Sequence, residues 1–147
     1  MLALQTRACE VTGDESVMLP LAIMTSDDTH SATAALLEEN GYFGMAPGQV
    51  TLMKQNKVPA VLNNDGAFAL DPADAYSVLT KPHGHGDVHS LLLYTGVLDT
   101  WVAQGRKWLY FFQDTNAHCL GRSWSYMNFT FLLEKYILEK TPDFNNK

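Results

Sequence analysis

The chain has 147 residues, which fits one domain of ordinary size, and its hydrophobic fraction of 46% is typical of a folded protein rather than a disordered one. The net charge of −6 argues against a protein that covers nucleic-acid backbone, because such proteins neutralise phosphates with basic side chains. Cys9 and Cys119 form no metal-binding pattern, and no apolar run approaches the roughly 20 residues of a membrane span. We therefore expect a cytoplasmic protein that binds neither nucleic acid nor membrane.

The first half of the chain alternates predicted helices and strands, which indicates an α/β fold with a mainly parallel sheet. Residues 1–9 are predicted to end a helix, and the apolar run 19–24 (LPLAIM) is predicted to be a buried strand. A second helix is predicted over 29–40, where Asn40-Gly41 ends it, and a second strand is predicted over 50–54 (VTLMK). The buried face of that second helix is predicted to consist of Ala32, Ala35, Leu36 and Leu37.

The polar cluster at residues 25–29 (TSDDT) directly follows the first predicted strand. Ligands of open α/β sheets bind beyond the carboxyl ends of the strands, so the cluster is a candidate for binding. N-capping of the following helix explains the same residues fully, and we favour that interpretation.

In the second half, Asn63-Asn64-Asp65-Gly66 predicts a hairpin turn between 58–62 and 67–70. Residues 77–80 are predicted to be a short strand that leads into a loop. Asp87 is predicted to cap a helix that runs through Val97 and is kinked at Gly96. The run 107–112 (KWLYFF) is predicted to be the clearest strand of the chain, and QDTN follows it directly.

The loop 82–87 (PHGHGD) is the densest feature of the chain. Glycine at alternate positions lets the backbone approach a ligand, and the start of the next helix offers N–H groups that suit an anion. Two other interpretations stay open: a turn with solvent-facing histidines, and a metallohydrolase site. The H-x-H-x-D-x-H spacing of His83, His85, Asp87 and His89 is close to a dinuclear metal motif, but Val88 separates its last two ligands.

Two further residues stand where predicted strands end. Gln55 carries an amide that can both donate and accept, which suits the edge of a base. Asp114 offers a single carboxylate, which is a natural ligand for Mg²⁺.

Taken together, the segments LPLAIMTSDDTHSAT, NGYFG, VTLMKQNKVPA, TKPHGHGDVHSLL and KWLYFFQDTN resemble the broad-specificity UDP-sugar pyrophosphorylases, a branch of the uridylyltransferases. The resemblance runs from Leu2 to Asn116. It implies a Rossmann-like nucleotidyltransferase domain, here incomplete, of which residues 1–116 are the central, UTP-binding part. It also implies a Mg²⁺-dependent reaction, with Mn²⁺ as an alternative, that joins UTP and a sugar 1-phosphate to give a UDP-sugar and pyrophosphate. The full-length family is expected to be monomeric.

The resemblance also implies roles for individual residues. Gln55 would hydrogen-bond the uracil, the backbone of Gly84 would meet the same base, and His85 would contact the nucleotide and the sugar-phosphate side. Asp114 would hold the metal between phosphate groups. His83 and His89 receive no role.

Two parts of the family pattern are missing from this sequence. No glycine-rich phosphate loop of the form L-x-G-G-x-G-T-x-L-G is present, and residues 117–147 contain nothing recognisable as family sequence. We therefore expect a truncated form that has little or no activity alone. We favour a gene-model artefact as the origin of the tail, and a splice form or a degenerate duplicate stays open. A non-catalytic uridine-nucleotide-binding protein derived from the enzyme is the alternative.

Overall fold

The structure, a computed structural model, describes residues 1–113 together with residues 131 and 132. It divides into two compact units, of which the first is Met1–Thr95 and the second begins at Gly96. The helices are α1 (Leu2–Thr12), α2 (Asp27–Glu39), α3 (Asp87–Tyr94) and α4 (Val97–Ala103), with short 3-10 turns at Gly41–Gly44 and Pro47–Gln49. The strands are β1 (Leu21–Thr25), β2 (Val50–Lys54), β3 (Lys57–Pro59), β4 (Leu70–Asp71), β5 (Asp74–Val78), β6 (Thr80–Pro82), β7 (Trp108–Leu109) and β8 (Phe131–Leu132).

The first unit is built on two parallel strands, as the sequence predicts. β1 and β2 pair over their whole length, from Leu21 opposite Val50 to Thr25 opposite Lys54. α2 packs against both strands, and α3 packs against β2. The other three strand pairs in the described part of the chain are antiparallel. The α/β class is thus confirmed with a mixture of parallel and antiparallel strands, and parallel pairing among the described residues is confined to β1 and β2.

The N-terminus of α2 confirms the capping interpretation of the TSDDT cluster. Ser26 is the N-cap, and the Thr29 hydroxyl accepts a hydrogen bond from its backbone N–H at 3.0 Å. The predicted buried face is correct only for Leu37, whose exposed fraction is 5%, because Ala32, Ala35 and Leu36 are exposed. The less exposed stripe follows the helical spacing of three and four residues, and it consists of His30, Thr33, Ala34 and Leu37.

The predicted hairpin is also confirmed. Asn63 accepts two backbone hydrogen bonds through its side-chain oxygen, from the N–H groups of Asp65 and Ala67, and Gly66 has a φ of 81°. Val61 and Phe68 then face each other across the hairpin. The region predicted as one short strand at 77–80 contains the ends of two strands, β5 and β6, which are separated by Leu79. Together these strands extend beyond the predicted segment on both sides.

A buried amide, that of Gln49, and a half-buried one, that of Gln5, hold α1 against the start of the parallel strands. Gln49 is only 5% exposed, and its Nε2 donates to the carbonyl oxygen of Leu19 and to Oε1 of Gln5, both at 2.7 Å. Gln5 Oε1 also accepts from the N–H of Leu19 at 3.1 Å. The buried polar atoms therefore satisfy one another, which avoids the cost of burying an unpaired amide.

Asp87 is the first residue of α3 rather than its cap, so the predicted capping role is wrong. The N-cap is Gly86, which makes no side-chain capping bond. The Asp87 carboxylate instead lies 3.0 Å from Nδ1 of His83. The predicted single helix through Val97 is interrupted rather than kinked, because α3 ends at Tyr94, Gly96 has a φ of 73°, and α4 begins at Val97.

The KWLYFF segment forms a much shorter strand than predicted. In the described part of the chain, β7 consists of Trp108 and Leu109, which pair with Leu132 and Phe131 of β8. A run that is apolar on both faces is stable as a long strand only when neighbours pair with it and cover it. Here Trp108 is 59% exposed and Phe112 is 47% exposed, and the rings of Tyr110 and Phe112 stack on each other at 5.8 Å.

Candidate functional site

Gln55 is fixed by the end of the parallel sheet. It follows the last residue of β2, and its backbone N–H donates to the carbonyl oxygen of Thr25 at 2.8 Å, which continues the strand pairing by one residue. Thr25 is itself 5% exposed, and its hydroxyl lies 2.8 Å from Nδ1 of His30. The backbone of Gln55 is therefore held, while its half-buried side chain extends beyond the strand end.

The pairing of β3 with β6 brings Gln55 to the glycine loop. Lys57 stands opposite Pro82 in this antiparallel pair, so the residues before β3 meet the residues after β6. The N–H of His83 donates to the carbonyl oxygen of Asn56 at 3.2 Å. The N–H of Gly84 then donates to Oε1 of Gln55 at 3.0 Å, although the two residues are 29 positions apart. Two of the predicted nucleotide-binding residues are thus in direct contact.

This hydrogen bond determines which way the Gln55 amide faces. A backbone N–H can only donate, so the amide atom that it meets must be the acceptor Oε1. Nε2, with its two hydrogens, therefore points away from Gly84 and is the group that Gln55 can offer to a ligand. The site therefore offers an oriented Nε2 donor, which the bond from the Gly84 N–H to Oε1 holds in place.

Gly84 adopts a backbone conformation that other residues rarely take. Its φ is 123°, whereas that of Gly86 is −62°. A Cβ added at Gly84 would meet no atom within 4 Å, so the requirement for glycine comes from the backbone angle and not from crowding. His85 lies between the two glycines and is exposed, and the structure leaves its predicted contacts with nucleotide and sugar phosphate as predictions.

The loop is closed by a side-chain pair that the sequence did not predict. His83 Nδ1 and Asp87 Oδ1 lie 3.0 Å apart, and the two residues are four positions apart in the sequence, at either end of the loop. Since a carboxylate only accepts, Nδ1 of His83 carries the hydrogen. The Asp87 side chain is 11% exposed, so this pair anchors the loop to the start of α3.

A cluster of charged side chains lies beside Gln55. Asp27, the first residue of α2, receives Lys54 Nζ at 2.9 Å and Lys57 Nζ at 3.3 Å. These lysines stand on either side of Gln55 and Asn56. Hydrogen bonds from Lys54 and then from Lys57, together with their positive charge, hold the pKa of Asp27 below its ordinary value. Sequence reasoning considered binding for this segment, because it directly follows a parallel strand, but favoured capping and predicted no contact between Asp27 and the two lysines.

The lowered pKa of Asp27 predicts how stability depends on pH. The folded-state pKa lies below the unfolded one, so the contribution of Asp27 is fully present above the unfolded value of about 4. It is lost as the pH falls through the folded pKa. We expect the difference in unfolding free energy between the wild type and Asp27→Asn to be constant from pH 5 to 7 and to shrink below pH 4. Urea unfolding at each pH measures this difference, and a difference that stays constant down to pH 2 would contradict it.

Asp114, the predicted metal ligand, lies outside the described residues, and Mg²⁺ binding stays a prediction. Within residues 1–113, 131 and 132, no three His, Cys, Asp or Glu side chains form a group that could hold a metal ion. None of the helices in that part of the chain has the length and apolar composition of a membrane span.

Comparison with known proteins identifies relatives of most of this chain. The profile of UTP–glucose-1-phosphate uridylyltransferase matches residues 1–140. A UDP-sugar pyrophosphorylase of Oryza sativa subsp. indica is 55% identical over 118 residues, which is 80% of this chain and 19% of that protein. The UDP-sugar pyrophosphorylase of Arabidopsis thaliana is 56% identical over the same coverage. The chain therefore spans about a fifth of the length of these relatives, and the predicted domain boundary at residue 116 stays a prediction.

Solved structures agree with this placement. A crystal structure assigned to the UDP-N-acetylglucosamine pyrophosphorylases, from Entamoeba histolytica, superposes with a TM-score of 0.61 at 27% identity, covering 71% of this chain and 26% of that one. The corresponding enzyme of Trypanosoma brucei, solved in complex with an inhibitor, gives a TM-score of 0.51 at 29% identity, covering 60% and 17% of the two chains.

Proposed function

Because this chain belongs to the UTP–glucose-1-phosphate uridylyltransferase family, we propose that Gln55 and Gly84 form the base-binding part of a site for a uridine nucleotide. The single observation that carries this proposal is the hydrogen bond of 3.0 Å between the N–H of Gly84 and Oε1 of Gln55. Uracil presents carbonyl acceptors on both sides of an N–H donor. The Gly84 N–H is engaged by Oε1 of Gln55, so the donor offered to this edge is Nε2 of Gln55, which is complementary to one of the uracil carbonyls.

The rest of the ligand would follow the loop toward α3. His85 would contact the nucleotide and the sugar-phosphate side, and Asp114 would hold Mg²⁺, which prefers oxygen ligands. The reaction we propose for a polypeptide that contains this segment is that of UDP-sugar pyrophosphorylases. An oxygen of the sugar 1-phosphate attacks the α-phosphorus of UTP, the bond from that phosphorus to the bridging oxygen of pyrophosphate breaks, and pyrophosphate leaves. The family expectations of a monomer and a cytoplasmic location stay predictions.

For the 147-residue chain itself we propose nucleotide binding without efficient turnover. The chain spans 19% of the length of its curated plant relatives, so most of what those relatives contain is not in this sequence. Phosphoryl and nucleotidyl transfer depend on positioned cationic groups around the phosphates. Binding of the base requires only the segment that carries Gln55 and Gly84.

A titration of the isotope-labelled chain with UTP and with CTP tests the proposal. We expect UTP to shift the Gly84 amide and the Gln55 side-chain resonances and CTP to bind less well, because cytosine carries an amino group in place of one carbonyl. Gln55→Ala should weaken UTP binding roughly 3- to 10-fold, the value of one or two neutral hydrogen bonds. Gln104→Ala, at the exposed end of α4, is the matched control and should leave the affinity unchanged. Equal effects of the two substitutions would overturn the proposal.

The catalytic part is tested in a chimera. Residues 1–113 replace the corresponding segment of the Arabidopsis enzyme, which is 56% identical over the matched region. We expect the chimera to form UDP-glucose from UTP and glucose 1-phosphate, and the isolated chain to form little or none. An inactive chimera that is folded would refute the proposed role of the segment in the reaction.

A further inference from the structure

We propose that Asp27 is a positioning residue for the base-binding amide, because its one carboxylate holds both ends of the turn that carries Gln55. This inference rests on the proposed role of Gln55. Asp27 binds Lys54, the residue before Gln55, at 2.9 Å, and Lys57, the residue after Asn56, at 3.3 Å. The ion pairs of Asp27 among the described residues join it to these two lysines, so its effect on Gln55 is exerted through them.

The link between β2 and β3 needs such a support. Gln55 and Asn56 are the only residues between the two strands, and the chain leaves one sheet there and enters another. The backbone of Gln55 has one hydrogen bond to β1, through the carbonyl oxygen of Thr25. A carboxylate shared by Lys54 and Lys57 restricts the remaining freedom of this link, and so fixes where the side chain of Gln55 can reach.

The neighbouring Asp28 shows that position, and not charge alone, decides this contact. Its carboxylate approaches only Lys57, at 3.7 Å, and its side chain is 74% exposed, against 42% for Asp27. Both aspartates lie in the first turn of α2, where a negative charge is favoured by the helix dipole. Asp28→Asn therefore removes the same charge from the same helix turn without opening the contact to Lys54, which makes it the matched control for Asp27→Asn.

Exchange of the Gly84 amide hydrogen reports the position of the Gln55 side chain without any ligand, because this N–H is bonded to Oε1 of Gln55. Exposed ion pairs are individually weak, so we expect Asp27→Asn to speed this exchange about 2- to 5-fold, Asp28→Asn to leave it unchanged, and Asp27→Glu to restore most of the protection. Amides of β2 serve as the reference for global stability. The inference would be overturned if the Gly84 amide exchanged at the same rate in Asp27→Asn and Asp28→Asn. It would also be overturned if Asp27→Asn raised the exchange rates of the β2 amides as much as that of Gly84.

The salt dependence of uridine affinity distinguishes positioning of Gln55 by the Asp27 ion pairs from a general effect of Asp27 on the structure. At about 1 M NaCl the screening length is about 3 Å, so exposed ion pairs weaken strongly. Uridine is the chosen probe because it is uncharged, and its affinity therefore has no direct dependence on ionic strength. We expect salt to lower uridine affinity in the wild type to the level of Asp27→Asn and to have no further effect in that variant. A similar salt effect in both proteins would count against the inference. If the wild type binds no uridine, the proposed function fails, while the exchange comparison still decides whether Asp27 positions Gln55.

Discussion

Gly84→Ala is expected to weaken binding of uridine nucleotides by roughly tenfold or more and to lower the unfolding free energy by about 1–3 kcal/mol, the cost of a non-glycine residue in a rare backbone region. The φ of Gly84 is 123°, and relief of the strain would rotate this peptide away from Gln55. The hydrogen bond from the Gly84 N–H to Oε1 of Gln55 would then be lost, and the amide would no longer be oriented. Chemical denaturation and a UTP titration of the same sample measure the two effects.

Gly86→Ala is the matched control for this substitution. It adds the same methyl group two positions away in the same loop, and neither glycine has an atom within 4 Å of the added Cβ. Gly86 has a φ of −62°, which alanine adopts without strain, so its replacement should stabilise the fold by about 0.4–1 kcal/mol. The two variants therefore differ in backbone conformation and not in crowding. If they had the same stability, the requirement for glycine at position 84 would be refuted.

Met53→Ala is expected to produce the largest loss of stability, about 2–5 kcal/mol, because it opens a cavity in the core. Met53 is 1% exposed and is the largest fully buried side chain of the described residues. Its sulfur also lies 3.7 Å from the hydroxyl oxygen of Thr95, which donates to the carbonyl oxygen of Leu91 at 2.6 Å, so β2 contacts the end of α3 here. Met53→Leu keeps the volume and should cost less than about 1.5 kcal/mol.

Met18→Ala makes the same chemical change at an exposed site. Met18 is 53% exposed, so its replacement should alter stability by no more than about 0.5 kcal/mol. Urea unfolding curves of the three variants, analysed by linear extrapolation, supply the comparison. A loss at Met53 no larger than the loss at Met18 would show that the packing of β2 against α3 does not stabilise the protein.

Sequence reasoning succeeded where the signal is local. The strands at LPLAIM and VTLMK, the capped start of α2, the Asn63–Gly66 turn and the break at Gly96 each depend on residues within a few positions of one another. It failed where stability depends on distant neighbours. KWLYFF has a strong strand propensity, yet the strand β7 within it covers Trp108 and Leu109 alone. The less exposed stripe of α2 is set by the position of the sheet, so it includes the half-buried His30 and Thr33 and omits Leu36.

The glycine loop shows the same division within the site. From the sequence alone we could predict that a glycine-containing loop precedes a helix, that Gln55 follows a strand, and, through resemblance, that both belong to a uridylyltransferase. The bond from Gly84 to Gln55, and the contacts of Asp27 with Lys54 and Lys57 on either side of it, became visible in the folded chain. Such contacts depend on which strands pair. The β1–β2 and β3–β6 registers bring residues together that are far apart in the chain, and no local propensity encodes that distance.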